Sequence, residues 1–175
     1  MNEINVAALL PADFDERSRV WIFQSTRPFT QAQEREIDEQ LYQFTAQWQV
    51  HGKPAKGWGK LLFNRFVVIM ADETVEPISG CSTDSMMRII KSLERQYDCN
   101  LFDRLSITFL VKGQPEVLPM NQVQYALDKG YLQPDTLLFN NLVASKKEME
   151  QQWLQPLAQS WMADRLNFNT EKASS

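Results

Sequence analysis

Apolar and polar residues alternate along some segments of the chain, and in others the apolar residues recur every three or four positions. Alternating segments, and short segments rich in β-branched and aromatic residues, are typical of strands. The predicted strands are Ser18–Phe29, Lys60–Glu73, Leu105–Lys112, Glu116–Met120 and Asp135–Ser145. The third and fourth are expected to form a hairpin, because their connection is too short for a parallel crossover.

The first helix is predicted to follow the first strand directly. Thr30 can cap its start, with Gln33 in the reciprocal position of a capping box. Apolar residues then repeat at intervals of three and four residues as far as Trp48. Gly52 is the expected stop, which leaves His51 in or beside the last helical turn.

Three further helices are predicted from the same spacing. They run from about Thr83 to Asp98, from Asn121 to Gly130, and from Ser145 to Leu166, the last one interrupted or kinked at Pro156. On the first of these three, the apolar face is formed by Met86, Ile89 or Ile90, Leu93 and Tyr97. The resulting order is β-α-β-α-β-β-α-β-α, which indicates an α/β or α+β fold with helices packed on a mixed sheet. We expect a single globular domain over residues 1–166, followed by a polar, disordered tail over residues 167–175.

Composition limits the classes of partner. A net charge of −4 argues against nucleic-acid binding, which requires a basic surface. The apolar run Val6–Leu10 is too short for a signal-peptide core, and no segment reaches the roughly 20 apolar residues of a membrane span. We therefore expect a soluble cytoplasmic protein that binds a small molecule or another protein, in an oligomeric state that the sequence leaves open.

The chain is poor in residues that bind metals. It contains one histidine, two cysteines and no CxxC motif, so neither a zinc site nor a disulfide framework is expected. We expect no metal and no cofactor.

The segment "HGKPAKGWGKL" contains a Gly-Lys pair but does not form a phosphate-binding loop. Pro54 stands where the first glycine of that motif belongs, and Leu61 replaces the hydroxyl residue that binds magnesium. The segment also leads into a strand rather than a helix. ATP hydrolysis by this route is therefore excluded.

Cys81 is the strongest candidate for a catalytic nucleophile. It precedes the second helix, whose positive end favours a thiolate. If the fold brings it to His51, the pair resembles that of a cysteine-dependent acyl- or thiol-transfer hydrolase, in which Asp84 or Asp72 orients the imidazole. The alternative is a small residue in a turn and a histidine at an ordinary helix end.

The same turn also suggests an anion site. The backbone amides from Gly80 to Asp84, together with the hydroxyls of Ser79, Ser82 and Thr83, could hold a carboxylate or phosphate. Arg27 or Arg65 would then supply the positive charge. In the alternative interpretation, Asp84 simply caps the helix.

Two further positions are candidates for a ligand contact. Asn64 and Arg65 interrupt an apolar strand, so they mark either a pocket rim or a solvent-facing strand end. Trp58 lies in a loop by composition, where an exposed aromatic side chain would indicate a contact with a ligand or a partner.

A series of motifs gives the chain a family resemblance: "SRVWIFQSTRPFT", "WQVHG", "FNRFVVIMADE", "SGCSTDS", "LFDRL" and "LFNNLV". Over roughly residues 18–166 the chain resembles a group of short Bacteroidetes proteins that often carry the automatic label "ABC transporter ATPase". The resemblance implies no established activity, substrate or fold. The label does not suit these residues, which include neither a phosphate-binding loop nor an LSGGQ signature.

Three classes of function remain. The first is a small-molecule or protein-binding domain with a site at residues 79–84, near His51 and Arg65. The second is the cysteine-dependent hydrolase. The third is a structural or regulatory interaction protein without a pocket.

Overall fold

The computed structural model describes residues 4–168. The sequence predicted one domain over residues 1–166, and within it the structure distinguishes two compact units. Residues 4–103 with 142–151 form the first unit, and residues 104–141 with 152–168 form the second. The chain combines helices with antiparallel strands and is an α+β protein, which confirms one of the two predicted classes.

The first unit contains most of the helical residues. Its elements are a 3-10 helix (Val6–Leu9), β1 (Arg19–Gln24), α1 (Gln31–Gln47), β2 (Gln49–Val50), β3 (Lys53–Pro54), β4 (Gly57–Leu62), β5 (Phe66–Ala71), α2 (Gly80–Tyr97) and most of a helix at Lys146–Gln152. Strands β1, β5 and β4 form an antiparallel sheet in that order, and β2 pairs with β3 as a separate hairpin. Every strand pair in residues 4–168 is antiparallel, whereas the sequence predicted a sheet of mixed direction.

The start of α1 is confirmed in detail. Thr30 Oγ1 accepts a hydrogen bond from the Gln33 backbone N–H at 3.1 Å, and Gln33 Oε1 accepts one from the Thr30 N–H at 3.0 Å. The predicted end is wrong, because α1 stops at Gln47. His51 and Gly52 have positive φ angles of 52° and 78° and form the two-residue turn of the β2–β3 hairpin instead.

The predicted strand Lys60–Glu73 is a hairpin. Phe63 and Asn64 adopt left-handed φ angles of 55° and 59°, and the Arg65 backbone N–H closes the turn on the Leu62 carbonyl at 3.1 Å. Asparagine tolerates this conformation better than most residues. The polar interruption in the apolar run is therefore the turn that separates β4 from β5.

Helix α2 begins earlier than predicted. Ser79 is its N-cap, and the helix starts at Gly80 rather than near Thr83. The predicted apolar stripe is confirmed, since Met86, Ile90 and Leu93 are completely buried. These side chains share one core with α1 and with the inner face of the three-stranded sheet.

The second unit is built on a four-stranded antiparallel sheet in the order β7-β6-β8-β9. Its elements are β6 (Ser106–Val111), β7 (Gln114–Pro119), 3-10 turns at Met120–Gln122, Leu157–Gln159 and Ala163–Arg165, α3 (Val123–Asp128), β8 (Leu137–Phe139) and β9 (Leu154–Pro156). The β6–β7 hairpin was predicted and is confirmed.

The last predicted helix is wrong beyond Gln152. The helix at Lys146–Gln152, which becomes α4, ends there, and Leu154–Pro156 pairs with β8 as strand β9. The helix is therefore interrupted before Pro156 rather than kinked at it, and Pro156 ends the strand.

Only residues 167 and 168 of the predicted tail are described. Asn167 exchanges two hydrogen bonds with Gln124, and Phe168 packs against the core of the second unit. The remainder, residues 169–175, lies outside the described residues. Among residues 4–168, no helix has both the length and the apolar character needed to cross a membrane.

Candidate functional site

The hydroxyl groups at the start of α2 are occupied by contacts within the protein. Ser79 Oγ accepts a hydrogen bond from the Ser82 backbone N–H at 3.2 Å, and Thr83 Oγ1 donates to the Ser79 carbonyl at 3.0 Å. Ser82 Oγ donates to the Gln49 carbonyl at 2.7 Å. The cap is therefore Ser79 rather than Asp84, whose side chain is exposed. Little of the predicted anion site remains beyond the first backbone amides of α2.

Cys81 and His51 lie on neighbouring elements. Cys81 is exposed in the first turn of α2, and His51 is exposed at the tip of the β2–β3 hairpin. Besides the bond from Ser82 to Gln49, the Trp48 indole N–H donates to the Ser82 carbonyl at 2.9 Å and joins the hairpin to the helix. In residues 4–168, no hydrogen bond links the Cys81 and His51 side chains.

Arg27 lies at the opposite end of α2. Its guanidinium donates to the Asp98 carbonyl at 2.8 Å and also to the Tyr97 carbonyl, so it caps the C-terminal end of the helix. An 18-residue helix is about 27 Å long. Arg27 therefore does not share a site with Cys81.

Asn64 and Arg65 are also distant from the predicted anion site. The Asn64 carbonyl accepts from the Phe29 backbone N–H at 2.8 Å, and Arg65 Nη1 donates to the Thr26 carbonyl at 3.1 Å. Both contacts tie the β4–β5 turn to the segment that carries Arg27. The residues predicted to bind a ligand thus fall into separate regions of the first unit.

Trp58 belongs to a different site, an open groove beside β4. The groove has a volume of about 900 Å³. One wall is α1 and the other is β4 with the segment before it, and Asp13 and Phe14 lie at one end. Its lining comprises Asp13, Phe14, Arg35, Asp38, Glu39, Tyr42, Thr45, Ala46, Ala55, Lys56, Gly57, Trp58, Gly59 and Lys60.

The groove contains the free edge of the three-stranded sheet. Among the described residues, 4–168, strand β4 pairs with β5 on one side and with no strand on the other. The Asp72 backbone N–H donates to the Lys56 carbonyl at 2.9 Å, so in the alternation of an antiparallel ladder Trp58 and Lys60 also bond to β5. The residues between them, Gly57 and Gly59, consequently direct their backbone N–H and C=O groups outward. Within residues 4–168, neither glycine N–H has an acceptor.

The two glycines also allow α1 to lie directly on the strand. A β-carbon at Gly57 would stand 2.8 Å from Trp48 Cε3, and one at Gly59 would stand 3.2 Å from Leu41 Cβ. Because side chains alternate along a strand, Trp58 points to the face opposite α1. The sequence signal was the spacing of two glycines around an aromatic residue in "GWG", which we interpreted as the end of a loop, with the strand beginning only at Lys60.

One end of the groove is held by a buried carboxylate. The Asp72 side chain lies 3.7 Å from Lys56 Nζ and accepts hydrogen bonds from the Thr74 hydroxyl at 2.5 Å and the Asp15 backbone N–H at 3.2 Å. Burial alone would raise the pKa of Asp72, but these hydrogen bonds and the lysine outweigh it, so the pKa lies below its ordinary value. The carboxylate therefore remains ionised and anchors the segment that carries Phe14.

Two lysines hold the same segment. Lys56 donates to the Asp13 carbonyl, and its ammonium lies 4.7 Å from the centre of the Phe14 ring. Lys146 is buried and donates to the Phe14 carbonyl at 2.9 Å. Phe14 lies in an irregular segment, and these contacts fix it at the groove's end.

No family model, curated protein or solved structure matches the chain. Among the described residues, no cluster of histidine, cysteine, aspartate and glutamate side chains is suited to hold a metal ion. The functional argument therefore depends on the groove itself.

Proposed function

We propose that this protein is a peptide-binding module that takes up an extended segment of another protein along the free edge of β4. The observation that carries the proposal is the pair of outward-facing backbone groups at Gly57 and Gly59 inside a groove. Sheet edges in soluble proteins are usually covered or blocked, because unpaired N–H and C=O groups invite another strand. Main-chain bonds to such an edge are a common basis of peptide recognition.

The Leu61 end of this edge is already closed. The Leu61 backbone N–H donates to Asp38 Oδ1 at 2.8 Å, so the available groups lie between Gly57 and Leu61. These positions span about 14 Å of extended chain, enough for four to five residues of a partner. The site thus suits a short linear segment rather than a whole sheet.

The walls suit the alternating side chains of an added strand. On the α1 side, such a segment would pass Ala46 and Tyr42, and the Tyr42 side chain is 69% exposed. On the other side it would pass Trp58 and Phe14. Aromatic side chains contribute large contact areas with few rotatable bonds, which favours their use at binding surfaces. We therefore expect apolar side chains at the centre of the partner segment.

Charge favours an acidic group near the Leu61 end. Arg35 and Lys60 line the groove and have no ion-pair partner among the described residues. Of the nearby carboxylates, Asp38 is bonded to the Leu61 N–H and Glu39 accepts from Gln43 at 3.0 Å. A carboxylate on the partner would pair with the two cations.

The test is a selection of peptides from a random library displayed on phage, followed by backbone amide NMR with a selected peptide. Binding along β4 is expected to shift the Gly57 and Gly59 amide resonances most. Gly59→Pro removes the outward N–H, and Gly59→Ala is the matched control, which adds the same β-carbon but keeps the donor. Loss of one such bond is expected to weaken binding about tenfold or more in the proline variant relative to alanine.

Two results would overturn the peptide-binding proposal. One is a selection that enriches no sequence over the starting library. The other is a selected peptide that binds equally well to both Gly59 variants. Tyr42→Ala provides an independent check, because it alters an exposed groove residue without removing a buried contact, and we expect it to weaken binding.

The cysteine-dependent hydrolase remains a second candidate on one observation, the hydrogen bonds that join the hairpin of His51 to the first turn of α2. Its test is the pH dependence of alkylation at each cysteine, in the wild type and in His51→Ala. Cys99 is the internal comparison, since burial, opposed by Arg27 and reinforced by Glu94 and Asp98, raises the pKa of its thiol. Faster alkylation of Cys81 that slows without His51 supports the hydrolase. Equal rates in both proteins contradict it.

A further inference from the structure

The second unit contains an apolar pocket with a single cationic side chain at its edge. Its volume is about 600 Å³, within the range of small-molecule sites. Five of its lining residues are apolar, three are polar or charged, and none is acidic. They are Leu105, Pro119, Met120, Met162 and Leu166, with Asn121, Gln124 and Arg165.

The cation of this pocket is Arg165, and no carboxylate of the described part of the chain forms an ion pair with it. Its guanidinium lies 5.5 Å from the centre of the Trp161 ring, and Nη1 lies 3.4 Å from Met120 Sδ. No ion pair of Arg165 with an acidic residue occurs within residues 4–168, including with its exposed neighbour Asp164. The aromatic ring and the thioether therefore orient the guanidinium but leave its charge uncompensated.

The pocket is built from packed elements. Gln124 on α3 accepts a hydrogen bond from the Asn167 backbone N–H at 2.8 Å and donates to the Asn167 carbonyl at 3.1 Å. This reciprocal pair fixes the chain immediately after Leu166. On the inner side, Met162 is only 2% exposed and belongs to the core of the unit.

We infer that this pocket binds a small amphipathic carboxylate, with the aliphatic or aromatic body on the methionine and leucine side chains and the carboxylate on Arg165. Charge complementarity selects this class. Because Arg165 is exposed, its guanidinium stays hydrated beside an uncharged apolar ligand and adds nothing to its binding, whereas it would attract a carboxylate and repel an amine. Guanidinium groups bind carboxylates through two parallel hydrogen bonds, which also fixes the orientation of the ligand. This site is separate from the groove beside β4 and does not depend on the peptide-binding proposal.

The test uses decanoate as the probe and decanol as its uncharged counterpart, both below the concentration at which they form micelles. The methyl resonances of the methionines report binding, and those of Met120 and Met162 are expected to shift with decanoate. In Arg165→Gln, which keeps a polar side chain without the charge, we expect decanoate affinity to fall about three- to fivefold, as for an exposed ion pair. Arg165→Lys keeps the charge and is expected to lose less.

Decanol provides the control for the apolar part of the pocket. Its affinity is expected to be weaker than that of decanoate in the wild type and unchanged in Arg165→Gln. The inference is overturned if decanoate leaves both methyl resonances unshifted, if decanol binds as tightly as decanoate, or if Arg165→Gln binds decanoate as well as the wild type does. Unchanged circular dichroism of the variants would show that any loss is local.

Discussion

The carboxylate of Asp38 accepts a hydrogen bond from the backbone N–H of Leu61, at an Oδ1-to-N distance of 2.8 Å. A side chain of α1 thus occupies the position that a neighbouring strand would otherwise take beside β4. Two residues earlier, Gly59 has no such partner within residues 4–168. The Leu61 N–H is thus occupied, whereas the Gly59 N–H can still bind a partner strand.

Replacing Asp38 tests this closure. Asp38→Ala leaves the partly buried Leu61 N–H without an acceptor and is expected to lower the free energy of unfolding by about 1–2 kcal/mol. Asp38→Asn keeps an acceptor oxygen and is expected to lose less than half of that. Urea unfolding of the three proteins measures both values, and equal losses would mean that the charge rather than the hydrogen bond stabilises this contact.

Replacing a glycine of β4 with alanine should lower the stability of the protein more than the same replacement at a glycine elsewhere in the first unit. Gly57→Ala brings a β-carbon to 2.8 Å from the Trp48 ring and is expected to cost about 1–3 kcal/mol. Gly59→Ala is expected to cost less, since its closest contact is 3.2 Å.

Gly80 is the matched control for this pair, because a β-carbon there meets nothing within 4 Å. Gly80→Ala, in the first turn of α2, is expected to be neutral or to stabilise the protein by up to about 1 kcal/mol. Thermal unfolding of the three variants ranks them. A Gly57→Ala protein as stable as Gly80→Ala would contradict the close approach of α1 to β4.

Asp72 should contribute stability that depends on pH. Its pKa is lowered in the folded protein, so its contribution is present above the ordinary value of 3.8 and is lost as the pH falls through the lowered pKa. Asp72→Asn is therefore expected to reduce stability at pH 7, by about 1–3 kcal/mol. This difference from the wild type should shrink below about pH 4.

Asp135→Asn, at an exposed position, serves as the control for Asp72→Asn. We expect a change within about 0.5 kcal/mol for this control. The measurement is the free energy of unfolding at several pH values. A stability difference for Asp72→Asn that stays constant from pH 7 to pH 3 would contradict the assignment.

The phenol of Tyr97 should lose its proton at an unusually high pH. Burial, together with the hydrogen bond and charge of Glu36 at 2.7 Å, raises the pKa of Tyr97 to about 12. The neutral phenol is therefore favoured by folding, and its contribution is complete below pH 10 and lost as the pH rises toward 12. Glu36→Gln should lower this pKa, because it removes the negative charge.

The measurement is phenolate absorbance against pH, and subtraction of the curve of a Tyr97→Phe protein isolates Tyr97. The same subtraction in the Glu36→Gln background gives the shifted curve. Identical midpoints in the two backgrounds would mean that Glu36 does not act on the phenol.

Local signals in the sequence were reliable where the deciding contacts lie within a few residues. The Thr30–Gln33 capping box and the buried stripe of Met86, Ile90 and Leu93 were both predicted correctly. The hairpin around Gly113 was also correct, since its turn depends on neighbouring residues. Each of these features depends only on the conformational preferences of residues close together in the sequence.

The errors share one cause, a local pattern with two possible structures. A glycine after a helical stripe is typical of a helix stop, but Gly52 forms a hairpin turn with His51. The "GWG" segment was interpreted as a loop because glycines are rare in strands. It became an edge strand because α1, which precedes it by ten residues, packs against its backbone.

By itself, the sequence determined that the chain combines helices with strands, where α1 begins and which face of α2 is buried, but left the α/β and α+β classes both open. Those features follow from propensity, capping and periodicity over one or two turns. Tertiary structure alone decided that Arg27 caps the end of α2, that β4 lies at the edge of its sheet, and that its outward amides face a groove. Such features depend on which distant segments pair, and pairing is set by the burial of the whole core rather than by any single stretch of residues.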